Sequence, residues 1–258
     1  MDLGLRGKTV FIAGSTRGIG FAIARCFLRE GASVVITGRT MDSLEKAKAI
    51  LMPEADENRV LAIKGDMTVP SDVHRAMKES IEFYGKVYCV VANVGSGVGR
   101  AGWELGIEDW QSGLQVNLYG GIFLVQAAMD HLVKQGEGCM IFISSIAGCE
   151  ALSAPLPYSA AKAALINVAK NLSRMAGPHG IRVNAVAPGN VLFSGGSWEK
   201  KLNENREFFE DYIRREVPLQ RFGRAEEIAD AVVFLASTRA SFLTGACVVV
   251  DGGQARSY

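Results

Sequence analysis

Short apolar runs rich in β-branched residues alternate with amphipathic stretches from one end of the chain to the other. The runs are apolar at almost every position, which is typical of parallel strands covered by helices on both faces. The stretches between them have the periodicity of helices, so the pattern predicts strand–helix units joined by right-handed crossovers. We predict a doubly wound parallel α/β sheet of about seven strands, at residues 9–14, 33–38, 59–66, 86–93, 138–145, 181–189 and 246–253.

One segment interrupts this rhythm, and no Pro- or Ser-rich linker divides the chain. Residues 190–217, between the sixth strand and the next core helix, are polar and contain a pair of glycines. Gly195 and Gly196 are candidates for a hinge, because glycine tolerates dihedral changes that other residues resist. We predict one domain over residues 1–258 with a mobile lid at 190–217. A fixed helical insertion that serves subunit contacts is the alternative.

Composition and charge argue against several classes of function. The 258 residues are 48% apolar with a net charge of +1, so no basic field attracts nucleic acid or an anionic membrane. No apolar run has the length of a membrane span, and no long apolar leader precedes the first strand. The five cysteines form no CxxC pair and no cluster with the three histidines, which argues against metal and disulfides. We expect a cytoplasmic protein.

A glycine-rich turn follows the first predicted strand. It reads AGSTRGIG over residues 13–20, with glycines where the chain must turn sharply and then begin a helix. The free amides and positive dipole end of that helix favour a pyrophosphate. The spacing is neither G-x-G-x-x-G nor a Walker A loop, and a turn without a ligand is the ordinary alternative. The candidate contacts to a dinucleotide are Gly14, Ser15, Thr16, Arg17, Gly18, Ile19 and Gly20.

A tyrosine and a lysine stand four positions apart at the start of another predicted helix. Tyr158 and Lys162 in LPYSAAKAALINVAK, residues 156–170, leave the same helical face. A surface turn with a solvated cation is the ordinary interpretation of such a pair. The chemical interpretation is that the cation lowers the pKa of the phenol, about 10 when free, toward neutral pH.

Several motifs occur together and in a fixed order. AGSTRGIG, ANVG, VNLYG, ISS, YSAAK and VAPG resemble the ordered motifs of the classical short-chain dehydrogenase/reductase family, from about residue 5 to VVVDGG near the end. The most specific feature is Ser145, thirteen residues before Tyr158. Within the family the chain looks most like the branch labelled 3-oxoacyl-(acyl carrier protein) reductase. The resemblance implies a Rossmann-type fold and an active oxidoreductase acting on CH–OH groups with NAD(P).

The resemblance also implies catalytic roles. Tyr158 would be the general acid in reduction and the base in oxidation, and Lys162 would also hydrogen-bond the nicotinamide ribose. Ser145 would hydrogen-bond the substrate oxygen and stabilise its developing charge. Asn117, within a predicted helix, would hold a water on the proton path to the lysine. Ser144 is expected to be structural, since it stands one position out of register.

Further cofactor contacts are implied by the same resemblance, with some departures from the family pattern. Ala13 replaces a usual threonine, and ANVG at 92–95 replaces Asn-Asn-Ala-Gly. Phe193 stands where a threonine side chain commonly hydrogen-bonds the cofactor. That hydrogen bond is therefore not expected in this chain. The contacts implied are Asp66 and Met67 for adenine, then Asn93, Gly95, Pro188, Gly189 and Val191.

The end of the second strand bears on the choice of nicotinamide. An NAD enzyme usually carries an acidic residue there, whereas this chain has Gly38 followed by Arg39. Arg17 is expected nearby in the phosphate turn, and two guanidinium groups suit the 2′-phosphate of NADP. Two ordinary surface arginines are the alternative. We therefore predict NADP(H), with NAD(H) as the alternative cofactor.

The substrate is the least determined part. Residues 96–103, 149–157 and 190–217 are expected to form the pocket, and either an apolar ketone or a sugar suits their aromatic residues. The leading hypothesis is an NADPH-dependent reductase of a 3-oxoacyl thioester or related ketone. The alternatives are an alcohol or sugar dehydrogenase running oxidatively and a dinucleotide-binding regulator without activity.

A homotetramer is expected from the resemblance and from two long apolar helices. The histidines at 74, 131 and 179 are predicted to be surface residues.

Overall fold

Seven parallel strands form the central sheet of the computed structural model, which describes residues 1–55 and 57–257. The strands are β1 Thr9–Ile12, β2 Ser33–Gly38, β3 Val60–Lys64, β4 Cys89–Ala92, β5 Gly138–Ile143, β6 Ile181–Pro188 and β9 Cys247–Val250. Their order across the sheet is β3-β2-β1-β4-β5-β6-β9. The two-residue strands β7 Val191–Leu192 and β8 Gly223–Arg224 pair with each other outside this sheet. The predicted doubly wound sheet is confirmed, with most strands shorter than their apolar runs.

Helices cover both faces of the sheet, which explains why the strands are apolar at successive positions. In β1, Val10 and Ile12 pack toward Phe27 on one face, whereas Phe11 packs toward Leu124 and Leu165 on the other. Neither face of the strand can therefore carry polar residues without burying them. The helices are α1 Gly18–Arg29, α2 Met41–Leu51, α3 Pro70–Tyr84, α4 Ile107–Leu114, α5 Gly120–Gln135, α6 Leu156–Ala176, α7 Ser197–Glu216 and α8 Ala225–Ala236.

The strand order reverses between β1 and β4, and this reversal positions the site. Chain connections leave the sheet in opposite directions on either side of such a point, which opens a crevice at the carboxyl ends of the strands. The phosphate turn follows β1, Asn93 follows β4, Ser145 follows β5 and Pro188–Gly189 ends β6. The predicted motifs thus meet at one edge of the sheet.

Two helical regions are irregular. Between α4 and α5 the backbone forms a π-helical turn over Gln115–Tyr119, which contains Asn117. Within α7, Asn205 adopts φ −155° and ψ 84°, so the helix is broken into a front and a back half. Neither irregularity has a glycine or proline signal at the break itself.

The three histidines predicted at the surface differ in their exposure. His74 and His179 are exposed, as expected, but His131 is half-buried. Its Nε2 accepts a hydrogen bond from the backbone N–H of Val87 at 3.3 Å. His131 therefore links α5 to the segment that enters β4.

Candidate active site

The phosphate turn between β1 and α1 is held by side chains from neighbouring strands. Gly14 and Gly18 have φ values of +64° and +58°, which other residues adopt only with strain. The Asn93 amide donates to the carbonyls of Ala13 at 3.1 Å and Gly14 at 2.9 Å. The Thr37 hydroxyl accepts from the Gly14 N–H at 3.0 Å.

The helix that follows this turn can accept an anion. No side chain caps the amino end of α1, so its first N–H groups are available to a ligand. A Cβ on Gly20 would lie 2.5 Å from Nδ2 of Asn93, which explains the third glycine as a packing requirement. These features fit a pyrophosphate. Sequence reasoning missed Thr37, although a hydroxyl at the carboxyl end of the apolar run SVVITG was a signal.

Ser145 and Tyr158 approach each other across the end of β5 and the start of α6. Ser145 is buried, and its Oγ accepts from the Ala147 N–H at 3.2 Å. Tyr158 lies in the first turn of α6, just after Pro155. Burial raises the pKa of Tyr158, and hydrogen bonding with the Ser145 hydroxyl lowers it in part. The two hydroxyls are therefore close enough to act on one substrate oxygen.

Lys162 lies one helical turn beyond Tyr158 and is only 3% exposed. Its Nζ donates to the carbonyl of Ile143 at 2.8 Å and lies 5.7 Å from the centroid of the Tyr158 ring. Burial lowers the pKa of Lys162 to about 8. Burial sets the net direction of the Tyr158 pKa in this arrangement, in which the Lys162 ammonium is directed to the Ile143 carbonyl, and the lowering of that pKa by Lys162 stays a prediction. Ser144 is structural, as expected, since its Oγ donates to the Lys162 carbonyl at 2.8 Å.

Asn117 lies in the π-helical turn and is 4% exposed. Its Oδ1 accepts from the Ser96 N–H at 2.7 Å, and its Nδ2 donates to the Gly113 carbonyl at 3.0 Å. The side chain thus holds the loop after β4. The water-binding role that the resemblance implies for Asn117 stays a prediction.

The remaining predicted cofactor residues occupy the same edge of the sheet. Asp66 Oδ1 accepts from the N–H of Thr68 at 2.9 Å and from its hydroxyl at 2.7 Å, and Met67 is buried. Gly189 packs so closely on Asp251 that a Cβ would lie 2.7 Å from the Asp251 Cβ. The turn at 14–20 contacts the loop at 93–95 through Asn93, and residues 66–67 and 188–191 lie at the carboxyl ends of other strands of the same sheet.

The two arginines predicted to bind a 2′-phosphate have different surroundings. Arg39 is exposed at the carboxyl end of β2. Arg17 donates from Nη1 to the carbonyl of Gly195 at 3.0 Å, which ties the phosphate turn to the segment 190–217. A Cβ on Gly38 would lie 2.5 Å from Cγ2 of Thr16, so a longer side chain there would require Thr16 to shift.

The segment 190–217 reaches the phosphate turn through Phe193. The Phe193 ring lies so close to Gly18 that a Cβ there would approach it to 2.6 Å. Trp198 stacks on Tyr212 with 5.8 Å between ring centroids and an interplanar angle of 18°. In the segment 96–103, which is predicted to line the pocket, Trp103 is 83% exposed and Arg100 is paired with Asp109 at 3.3 Å.

Metal binding and membrane spanning can both be assessed over residues 1–55 and 57–257. Within these ranges no group of three or more His, Cys, Asp or Glu side chains could hold a metal ion. Within the same described part of the chain, no helix is both long enough and apolar enough to cross a membrane.

Comparisons with known proteins agree with this geometry. A family model described as enoyl-(acyl carrier protein) reductase matches residues 13–255. The isoepoxydon dehydrogenase patN of Penicillium expansum is 36% identical over 98% of this chain and 96% of that protein. The 3-oxoacyl-[acyl-carrier-protein] reductase FabG of Aquifex aeolicus is 35% identical over 98% of this chain and 100% of that protein. L-sorbose reductase from Gluconobacter frateurii, solved with NADPH and L-sorbose, superimposes with a TM-score of 0.94 at 30% identity, covering 100% of both chains.

The fold and site together define an oxidoreductase with a dinucleotide-binding sheet. The chain belongs to the classical short-chain dehydrogenase/reductase family. It is an enzyme of NAD(P)-dependent interconversion of carbonyl and alcohol groups, as the family match and these relatives show.

Proposed function

We propose that the protein is an NADPH-dependent reductase that converts a ketone to a secondary alcohol. The observation that carries the proposal is the grouping of Ser145, Tyr158 and Lys162 beside the phosphate turn. NADPH would supply the hydride. Ser145 would hydrogen-bond the carbonyl oxygen, and Tyr158 would donate the proton that this oxygen needs. Lys162 would favour the phenolate left behind and would bind the nicotinamide ribose, with Asn117 supporting proton supply.

The pKa of Tyr158 is compatible with the proposed proton donor. Burial raises this pKa, so the phenol holds its proton at neutral pH and can donate it to the substrate oxygen. An alcohol or sugar dehydrogenase running oxidatively is the second candidate, since one relative is named a dehydrogenase.

The end of β2 supports NADPH over NADH. A carboxylate for the ribose hydroxyls cannot be accommodated at Gly38 while Thr16 keeps its position. Exposed Arg39, the next residue, is available to a 2′-phosphate by a charge-assisted hydrogen bond. The expected dinucleotide contacts are those of the phosphate turn, Asp66–Met67, Asn93, Gly95 and residues 188–191. NAD(H) remains the alternative cofactor.

The proposed substrate class is a ketone of moderate size. One relative is named for a 3-oxoacyl carrier-protein substrate, and a structural neighbour was solved with L-sorbose. A 3-oxoacyl thioester or a related ketone is therefore proposed, with a keto sugar as the alternative. The intact Ser145–Tyr158–Lys162 set counts against an inactive dinucleotide-binding regulator.

We also propose that residues 190–217 form a lid within one domain spanning the chain. Phe193 and Gly195 contact the phosphate turn, which supports closure of this segment over bound cofactor. Closure would exclude water during hydride transfer. A fixed insertion is the alternative.

A cytoplasmic homotetramer is proposed as the assembly. Met175 on α6 is 70% exposed, and Ile166 and Val168 on the same helix are only half-buried. Such apolar surface on a long helix supports contact with a second copy. Light scattering at micromolar concentration tests the assembly, and a monomeric mass would reject it.

A substrate screen tests the proposed reaction. NADPH or NADH would be mixed with acetoacetyl-coenzyme A, 2,3-butanedione or L-sorbose, and oxidation followed at 340 nm by the loss of the reduced nicotinamide. We expect faster oxidation of NADPH with at least one ketone. Alcohol-dependent reduction of NADP⁺ without ketone reduction at neutral pH would favour the oxidative candidate, and tight NADPH binding without turnover would favour the regulator.

A further inference from the structure

The chain after β9 folds into a turn that packs against the loop at residues 188–191, one of the predicted cofactor contacts. Asp251 accepts from the N–H of Gly253 at 2.8 Å and from that of Ala255 at 2.6 Å. One side of this turn contacts Gly189, and the other contacts Pro218, just beyond α7. The turn is therefore fixed between the end of β6 and the end of α7.

This turn delivers one buried amide, that of Gln254, which is 7% exposed. Its Oε1 accepts from Nδ2 of Asn190 at 2.8 Å, and its Nε2 donates to the hydroxyl of Tyr212 at 3.0 Å. Asn190 directly follows Gly189, and Tyr212 belongs to the back half of α7. Gln254 thus joins the loop after β6 to α7 with both of its polar atoms satisfied.

Tyr212 passes this connection to the front half of α7. Its ring stacks on Trp198, which lies in the first turn of the helix on the other side of the break at Asn205. Trp198 also contacts Phe222 at 5.4 Å between centroids. The front half of α7 therefore lacks helical continuity with the back half, and Trp198 contacts the back half through the rings of Tyr212 and Phe209.

We infer that Gln254 is a positioning residue, which holds α7 in place for substrate binding by tying Tyr212 to the loop after β6. It touches neither substrate nor cofactor in this role and acts through Tyr212. The inference rests on the proposed placement of residues 190–217 over the substrate. The turn at residues 251–255 also fixes the back half of α7. Motion of the segment 190–217 is therefore confined to residues 193–204, with Asn205 as the hinge.

Two variants remove the connection from opposite sides. Gln254→Met keeps the volume and removes both hydrogen bonds, whereas Tyr212→Phe keeps the ring stack and removes only the hydroxyl. With NADPH and whichever ketone of the panel the wild type reduces, we expect each to raise KM about five- to tenfold, the equivalent of the Gln254–Tyr212 hydrogen bond that both variants lose. The kcat should stay within twofold. The double variant should be no worse than Gln254→Met, because both changes break one connection.

Amide hydrogen exchange tests the role of Gln254 without a substrate and without measuring turnover. Without any ligand, residues 206–216 should exchange faster in Gln254→Met than in the wild type, whether or not a ketone substrate is found. Arg256→Ala is the matched control, since its side chain is exposed in the same tail, makes a 3.8 Å ion pair with Glu216 and, within the described residues, forms no hydrogen bond with Tyr212 or Asn190. Unchanged exchange at 206–216 would overturn the inference, as would a lowered melting temperature with unchanged KM. If Gln254→Met fails to fold, unchanged KM and unchanged exchange in Tyr212→Phe would overturn the inference in its place.

Discussion

Replacing Lys162 with methionine separates the catalytic use of this lysine from its cost to stability. The Nζ is buried and meets one carbonyl, that of Ile143 at 2.8 Å. Burial lowers the pKa of Lys162 from 10.5 to about 8. A shift of this size corresponds to a penalty of about 3 kcal/mol for keeping the ammonium in the folded protein, at about 1.4 kcal/mol per pKa unit.

The sign of the pH dependence follows from which state holds the proton. Below pH 8 both the folded and unfolded chains carry the charge, so the whole penalty is present. Between pH 8 and 10.5 only the unfolded chain keeps the proton, and the stability of the wild type rises with pH. The methionine side chain of the variant cannot titrate, so the wild type should gain about 2 kcal/mol relative to Lys162→Met between pH 7 and 9.5.

The net difference at pH 7 is smaller than the full penalty. Methionine removes the charge but leaves the Ile143 carbonyl without its donor, which costs about 1–3 kcal/mol. We therefore expect Lys162→Met to be as stable as the wild type at pH 7, or more stable by about 1–2 kcal/mol. Turnover should nevertheless fall by at least about a hundredfold, since the cation that favours the phenolate is lost.

Urea denaturation of the cofactor-free protein at pH 7, 8, 9 and 9.5 measures these differences, followed by tryptophan fluorescence at one protein concentration. Lys170→Met, on the exposed side of the same helix, controls for loss of a lysine from α6. A difference between wild type and Lys162→Met that stays constant within about 0.5 kcal/mol over this range would refute the reasoning.

Three further predictions concern the reaction and the cofactor. Tyr158→Phe should lose at least about a hundredfold in turnover with NADPH binding almost unchanged, and near-normal turnover in a folded variant would remove Tyr158 from its role. Arg39→Ala should weaken NADPH about ten- to a hundredfold and leave NADH nearly unaffected in parallel titrations; an equal loss for both would show that Arg39 is scaffold. Phe193→Ala should speed NADPH release in stopped-flow fluorescence and speed proteolysis within 190–217 when NADPH is bound, because the ring then no longer covers Gly18; identical rates would favour a fixed insertion.

The site could be predicted in part because its residues are local in sequence. Tyr158 and Lys162 share a helical face by spacing alone, and the phosphate turn is a continuous segment after a strand. The π-helical turn around Asn117 could not be predicted, because its stability depends on packing against the loop after β4, where the Ser96 N–H is held by Asn117. The position of Phe193 on Gly18 joins residues 175 positions apart, and no local pattern encodes it.

The sequence by itself determined the sheet, its strands and the order of the motifs, because apolar periodicity and glycine placement act over a few residues at a time. Only the tertiary structure decided in which direction the pKa values of the site residues are shifted. The direction of the Tyr158 pKa depends on how much solvent the fold removes, and burial outweighs the lysine that spacing places nearby. The tie made by Gln254 is likewise tertiary, since a glutamine near the chain end acquires its two partners only when β9 places the tail between β6 and α7.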